Sequence, residues 1–153
     1  MVEPGASIGF QSDGSQAYDF SRQDRTLISA LLIFGYIMIF LGVLAGLLQV
    51  LDRAGLFNVM PVVYYQLLTA HGIVLALVFT TYFIVGYLLA GVAKTTGGSL
   101  LPSARNFGWA SFVVMTAGVV IAIVEVISNR ATVLYTFYAP MGASSAFYIA
   151  LAL

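Results

Sequence analysis

The side chains that most often bind metals, relay protons or act as nucleophiles are scarce in this chain: it has one histidine, His71, no cysteine, and six aspartates and glutamates in 153 residues. Without cysteine there is no disulfide framework, no thiolate metal site and no cysteine nucleophile. Metal chemistry would have to use His71, carboxylates, Met or Tyr, or a cofactor that draws further ligands from elsewhere. One imidazole cannot close a metal site by itself. His71 stands inside the apolar stretch Tyr64–Phe79, YYQLLTAHGIVLALVF. Stepping 100° per residue puts Tyr64, Leu67, Val74, Leu75, Val78, Tyr82 and Val85 on its face, with Tyr65, Gly72, Ala76, Thr80 and Phe83 on the other. The histidine therefore sits in an apolar wall, unlike the polar stripe that lines a proton wire.

An imidazole turned toward lipid would leave a donor and an acceptor unpaired, at a cost of a few kcal/mol, so His71 must face protein or a ligand. Three uses stay open on these residues. The plainest is a structural hydrogen bond to a neighbouring helix. A proton relay is the second, although no other titrating group shares the face. Axial ligation of haem iron is the third, since neutral imidazole is a common haem ligand and a planar macrocycle needs an apolar wall. Glu125 is the other ionisable residue within an apolar segment; it lies two positions before Ile127 and is expected to reach the membrane interface rather than to transfer protons. Trp109 is of the type that anchors a helix at that interface, and no chemistry is assigned to it.

The elements that must position His71 follow from composition. The chain is 61% hydrophobic and 8% charged, with a mean hydropathy of +1.00, against roughly 25% charged residues in a soluble domain. It belongs in a bilayer. Six basic and six acidic residues balance, so nothing points to a nucleic-acid partner. The expected fold is an all-α, polytopic transmembrane helix bundle, with complete spans over about 27–51, 62–93 and 107–127 and the start of a fourth over 143–153. The first span, at 1.5 Å per residue, reaches roughly 37 Å and crosses a ~30 Å core with tilt. Residues 1–24 read as a polar tail, not as a signal peptide, because the first apolar run begins only at Leu27 and is too long. Gly35, Gly42 and Gly46 lie near one face of the first span and read as ordinary close packing rather than as a dimer motif.

Pro61 suits the first turn of the second span, and Lys94–Ser99 with Pro102 and Arg105 form the next loop. Ser128-Asn129-Arg130 stops the third span. Residues 131–141 are too short and interrupted to span, and their Tyr135, Phe137 and Tyr138 suit the headgroup level. The fourth apolar segment stops about ten residues in, which suggests the N-terminal part of a longer membrane protein. Arg22, Arg25, Lys94 and Arg105 on one side outnumber Arg53 and Arg130 on the other, so the N-terminus is expected in the cytoplasm. His71 then lies roughly 14 Å in from the outer end of its helix, in the outer half of the membrane or near its middle.

These residues resemble a known family. Tyr64-Tyr65-Gln66-Leu67-Leu68-Thr69-Ala70-His71-Gly72 looks like the second helix of subunit I of the haem-copper oxidases, in which a Thr-x-His-Gly element carries one axial ligand of the low-spin haem. The stretch ATVLYTFYAP, residues 131–140, is similar to the segment between helices three and four of the ba-type, or B-family, cytochrome c oxidases. That family usually has two consecutive prolines there; this chain has Ala139 before Pro140. The resemblance covers about residues 25–153. It implies a respiratory terminal oxidase subunit of twelve or thirteen helices in the plasma membrane. Electrons pass from cytochrome c or a similar donor, through a copper-bearing subunit II, to a low-spin haem, b-type in expectation. A haem-copper centre then reduces O2 to water with proton translocation. His71 becomes the cofactor-binding and metal residue, axial to the low-spin iron. The family's second low-spin ligand, high-spin ligand, copper histidines and active-site tyrosine all come from helices beyond the fourth. No catalytic residue is therefore expected in these 153 residues, and the partners implied are the remainder of subunit I, subunit II, the donor and the bilayer. The alternatives are a nitric-oxide reductase of the same superfamily, a small non-enzymatic membrane interaction protein with a structural histidine, and a homodimer holding haem between two His71 side chains.

Overall fold

Helix α1, Arg22–Arg53, begins where Ser21 places its hydroxyl to accept the Asp24 N–H at 3.3 Å. Asp24 in its first turn and Arg53 in its last complement the helix dipole. The computed structural model describes residues 20–132 and 142–153. Most of the expected polar tail, and Tyr135, Phe137 and Tyr138, lie outside the described residues. Ser21 to Asp24, grouped by composition with the tail, form the cap and first turn of α1 instead, because a Ser three residues ahead of an Asp satisfies orphan amides.

A single rod of 35 residues, Pro61–Thr95, follows. It consists of α2 (Pro61–Ile73), a π-helical segment (Val74–Phe79) and α3 (Thr80–Thr95). Helix α4 runs Pro102–Ile127, and α5, Ser145–Ala152, starts at Ser144, whose hydroxyl accepts the Phe147 N–H at 3.2 Å. Pro61 and Pro102 occupy first turns, where a missing N–H costs nothing. Helix ends close in a common way. Gly55, at φ 75°, lets the Leu56 N–H reach back to the Leu51 carbonyl at 3.0 Å. Asn129, at φ 55°, lets the Arg130 N–H reach Glu125 at 2.9 Å.

Among the described residues three helices are long and apolar enough to cross a membrane: α1, the rod and α4. The protein is an all-α transmembrane bundle. Helix α1 packs along the whole rod, α4 packs mainly on α5, and α4 touches α1 and α2 more sparingly. Because these helices are apolar all round, residue size rather than polarity selects the buried face. In α1, Gly35, Gly42 and Ala45 are buried while Phe40 and Val50 are 62% and 63% exposed. The core gathers Leu27, Leu31, Met38, Ile73, Tyr82, Val119 and Phe147.

Both ends of the bundle are tied by polar groups. At the α1 N-terminus, the fully buried Asp24 accepts from Arg105 Nε at 2.6 Å, the Leu100 N–H at 3.0 Å and the Ser21 hydroxyl at 2.5 Å. Arg105 also donates to Gln23 Oε1. At the other end Glu125 is buried, 6% exposed, because its carboxylate accepts the Ser144 hydroxyl at 2.6 Å beneath the start of α5, with Arg130 at 3.7 Å.

Candidate functional site

The second rod presents His71 near the end of α2, in a turn whose other polar group is concealed. Thr69 is fully buried, and its hydroxyl donates to the Tyr65 carbonyl at 2.9 Å, one turn back. Gly72, placed by helical phase on the face opposite His71, is buried as well. Tyr65, Ala76, Thr80 and Phe83 of that face are exposed.

His71 is half-buried against α1, with Nδ1 2.7 Å from the Gly42 carbonyl oxygen. A carbonyl only accepts, so Nδ1 carries the proton and donates it, and Nε2 keeps its lone pair. The contact depends on glycine. A Cβ at position 46 would lie 2.6 Å from His71 Cε1 and 2.8 Å from Nδ1, and one at position 42 would lie 2.7 Å from Leu75 Cδ2. Gly42 and Gly46 are four residues apart on one face of α1, so together they admit the ring and supply its acceptor. The glycine spacing was legible in the sequence but read as packing alone; the acceptor role was not legible, since any residue carries a carbonyl.

Tyr82, on the same predicted face as His71, also packs on α1, its ring 4.5 Å from Phe34, while its hydroxyl pairs with Thr116 Oγ1 of α4 at 2.8 Å. Trp109 is half-buried, edge-on to Phe112 with centroids 5.8 Å apart. Glu125 and Trp109 therefore join other contacts than those of His71. Among the described residues no group of three or more His, Asp or Glu side chains could hold a metal ion. An apolar cavity of about 170 Å³ lies between α2, α4 and α5, lined by Ala70, Ile73, Val74, Val119, Val126 and Phe147, and His71 does not line it. The site thus offers a single imidazole, its Nδ1 held by a backbone carbonyl and its Nε2 outside that bond. That donor fits an axial ligand of a haem iron completed by a second ligand from elsewhere.

Residues 26–153 match the family model described as cytochrome c and quinol oxidase polypeptide I. The chain belongs to that family. It is 34% identical over 128 residues to cytochrome c oxidase subunit 1 of Thermus thermophilus, over 77% of this chain and 22% of that relative. Its fold superposes on a chain of a heme-copper terminal oxidase dimer solved by cryo-EM, with a TM-score of 0.75 and 34% identity, covering 86% of this chain and 22% of that one. The chain thus spans about a fifth of the length of the relatives it matches. As a member of the oxidase polypeptide I family it is a multi-pass membrane protein.

Proposed function

We propose that this chain forms the first helices of the catalytic subunit I of a respiratory terminal oxidase and that His71 is one axial ligand of its low-spin haem, b-type in our reading. The observation that carries the reading is the 2.7 Å hydrogen bond between His71 Nδ1 and the Gly42 carbonyl, which leaves Nε2 as the donor atom. Bound haem would supply one-electron chemistry at that position. The chain's own residues do the rest. The Gly42 carbonyl, by accepting from Nδ1, holds the imidazole in one orientation with Nε2 left over as a ligand atom. Gly46 leaves the ring room against α1.

The reaction proposed is reduction of O2 to water at a haem-copper centre built by other helices of the subunit, with protons translocated. Electrons would arrive from a cytochrome c-type donor through a copper-bearing subunit II. The name of the Thermus thermophilus relative supports cytochrome c oxidase activity. The basic residues Arg22, Arg25, Lys94 and Arg105 support a cytoplasmic N-terminus in the plasma membrane, with His71 toward the outer side. Replacing His71→Ala in the full-length subunit is expected to abolish the low-spin band of the reduced-minus-oxidised spectrum. An unchanged low-spin band would sink the assignment.

A further inference from the structure

In sequence, Arg22-Gln23-Asp24-Arg25 mixes both signs of charge, but the fold separates them. Asp24 is turned inward, fully buried, and is taken up by Arg105, the Leu100 N–H and the Ser21 hydroxyl. Arg22 and Arg25 stay exposed on the outer side of α1, and among the described residues neither is ion-paired. Two guanidinium groups one helical turn apart repel each other unless an anion lies between them.

The two arginines head an open groove of about 510 Å³ along α1, lined by Arg22, Arg25, Thr26, Ser29, Ala30 and Ile33. At 100° per residue these six fall within about 140° of one another, so they share one face of the helix. Their order along it is graded. Two cations come first, two hydroxyls follow, and apolar side chains complete the groove and continue past it in the exposed Ile37 and Phe40. The Thr26 hydroxyl gives its proton to the Arg22 carbonyl at 2.9 Å. The half-buried Ser29 hydroxyl makes no hydrogen bond to any described residue, so its proton is available to a ligand oxygen. From Arg22 to Ile33 the helix rises roughly 16 Å. The apolar run begins between them, at Leu27, so the cations stand at headgroup level and Ile33 in the hydrocarbon of the same leaflet.

We propose that this face of α1 binds one anionic phospholipid, with its phosphate between Arg22 and Arg25, its glycerol ester region at Ser29 and an acyl chain along Ala30, Ile33 and Ile37. Planar guanidinium groups match phosphate oxygens, and their charge favours an anionic headgroup over a zwitterionic one. The hydroxyl and apolar rungs below select a lipid over a free phosphate. The site rests on α1 crossing a bilayer and is independent of the haem-ligand reading.

The test uses the purified full-length subunit in phosphatidylcholine nanodiscs doped with phosphatidylglycerol that carries a photoreactive diazirine in its acyl chain. Crosslinked peptides are mapped by mass spectrometry. Residues 30–37 should be labelled at least about fivefold more by this probe than by phosphatidylcholine carrying the same chain. That comparison is made on the unaltered protein and does not depend on how any variant folds. Arg22→Gln combined with Arg25→Gln should lower phosphatidylglycerol labelling to the phosphatidylcholine level. Lys94→Gln removes a cation from the same end of the bundle but not from this groove, and should leave the labelling unchanged. Equal labelling by the two lipids, no labelling of this face by either, or an equal loss in Lys94→Gln overturns the proposal. So does abolition of the labelling by excess free glycerol phosphate, which would show that the headgroup chemistry alone fills the site.

Discussion

At the scale of single residues, the functional weight of the site rests as much on two glycines as on the histidine. A ring held by a backbone carbonyl is oriented without any side chain that substitution could remove, so its sensitivity appears in the space beside it. Gly46→Ala should displace the imidazole, lower low-spin haem occupancy and destabilise the bundle by about 1–3 kcal/mol, the usual range for overpacking. Optical quantification of haem per subunit, together with thermal unfolding in detergent, checks it. Gly91→Ala is the matched comparison, because a Cβ there meets nothing within 4 Å and the site is exposed on α3. It should leave the spectrum unchanged and be neutral or stabilising by up to about 1 kcal/mol, from the higher helix propensity of alanine. Similar losses in both variants would mean that the effect at Gly46 does not come from the space it leaves for the ring.

At the scale of elements, the apolar helices are brought into register by polar ties at their ends. Asp24 links the first turn of α1 to the Leu100 N–H in the loop before α4 and to Arg105 in α4, which engages it with both Nε and Nη2, the latter at 3.2 Å. A planar fork is needed to reach Asp24 and Gln23 together, and lysine offers a single point charge. Arg105→Lys should therefore lower the melting temperature nearly as much as Arg105→Ala, despite retaining the charge. A melting temperature for the lysine variant equal to that of the native protein would show that charge alone suffices. At the other end, Glu125→Gln keeps an oxygen for Ser144 and gives up only the attraction of Arg130, whose side chain is 67% exposed. Its effect on stability should be small, whereas Glu125→Val leaves the Ser144 hydroxyl without its acceptor and should loosen the start of α5, read as faster amide exchange in Ser145–Ala152.

At the scale of the whole molecule, three apolar rods present broad hydrophobic faces, including Phe40 at 62% and Phe107 at 75% exposed, which suit lipid or further helices of an oxidase subunit. The proposed orientation has a direct consequence. A reporter active only in the cytoplasm should work when inserted in the loop at Gly98 and fail at Gly55, because the two loops lie at opposite ends of the rod Pro61–Thr95. The reverse pattern would invert the topology and put His71 toward the cytoplasmic side.

Composition and hydropathy alone determined that the chain is an all-α membrane bundle, because excluding water from the backbone leaves helices as the way for such apolar runs to cross. The isolation of His71 in an apolar helix was equally plain, and with it the need for a partner. Tertiary structure decided the rest. Helical phase put Tyr82 on the face of His71, but only the packing shows that its hydroxyl reaches Thr116 of α4 while its ring lies against Phe34 of α1. Nearness to the end of the third span suggested that Glu125 would reach the interface, but only the fold shows that the cap of α5 covers its carboxylate. The acceptor of His71 is a backbone carbonyl 29 positions away, a group identical in every residue, so only the packing of α1 on the rod could single out Gly42.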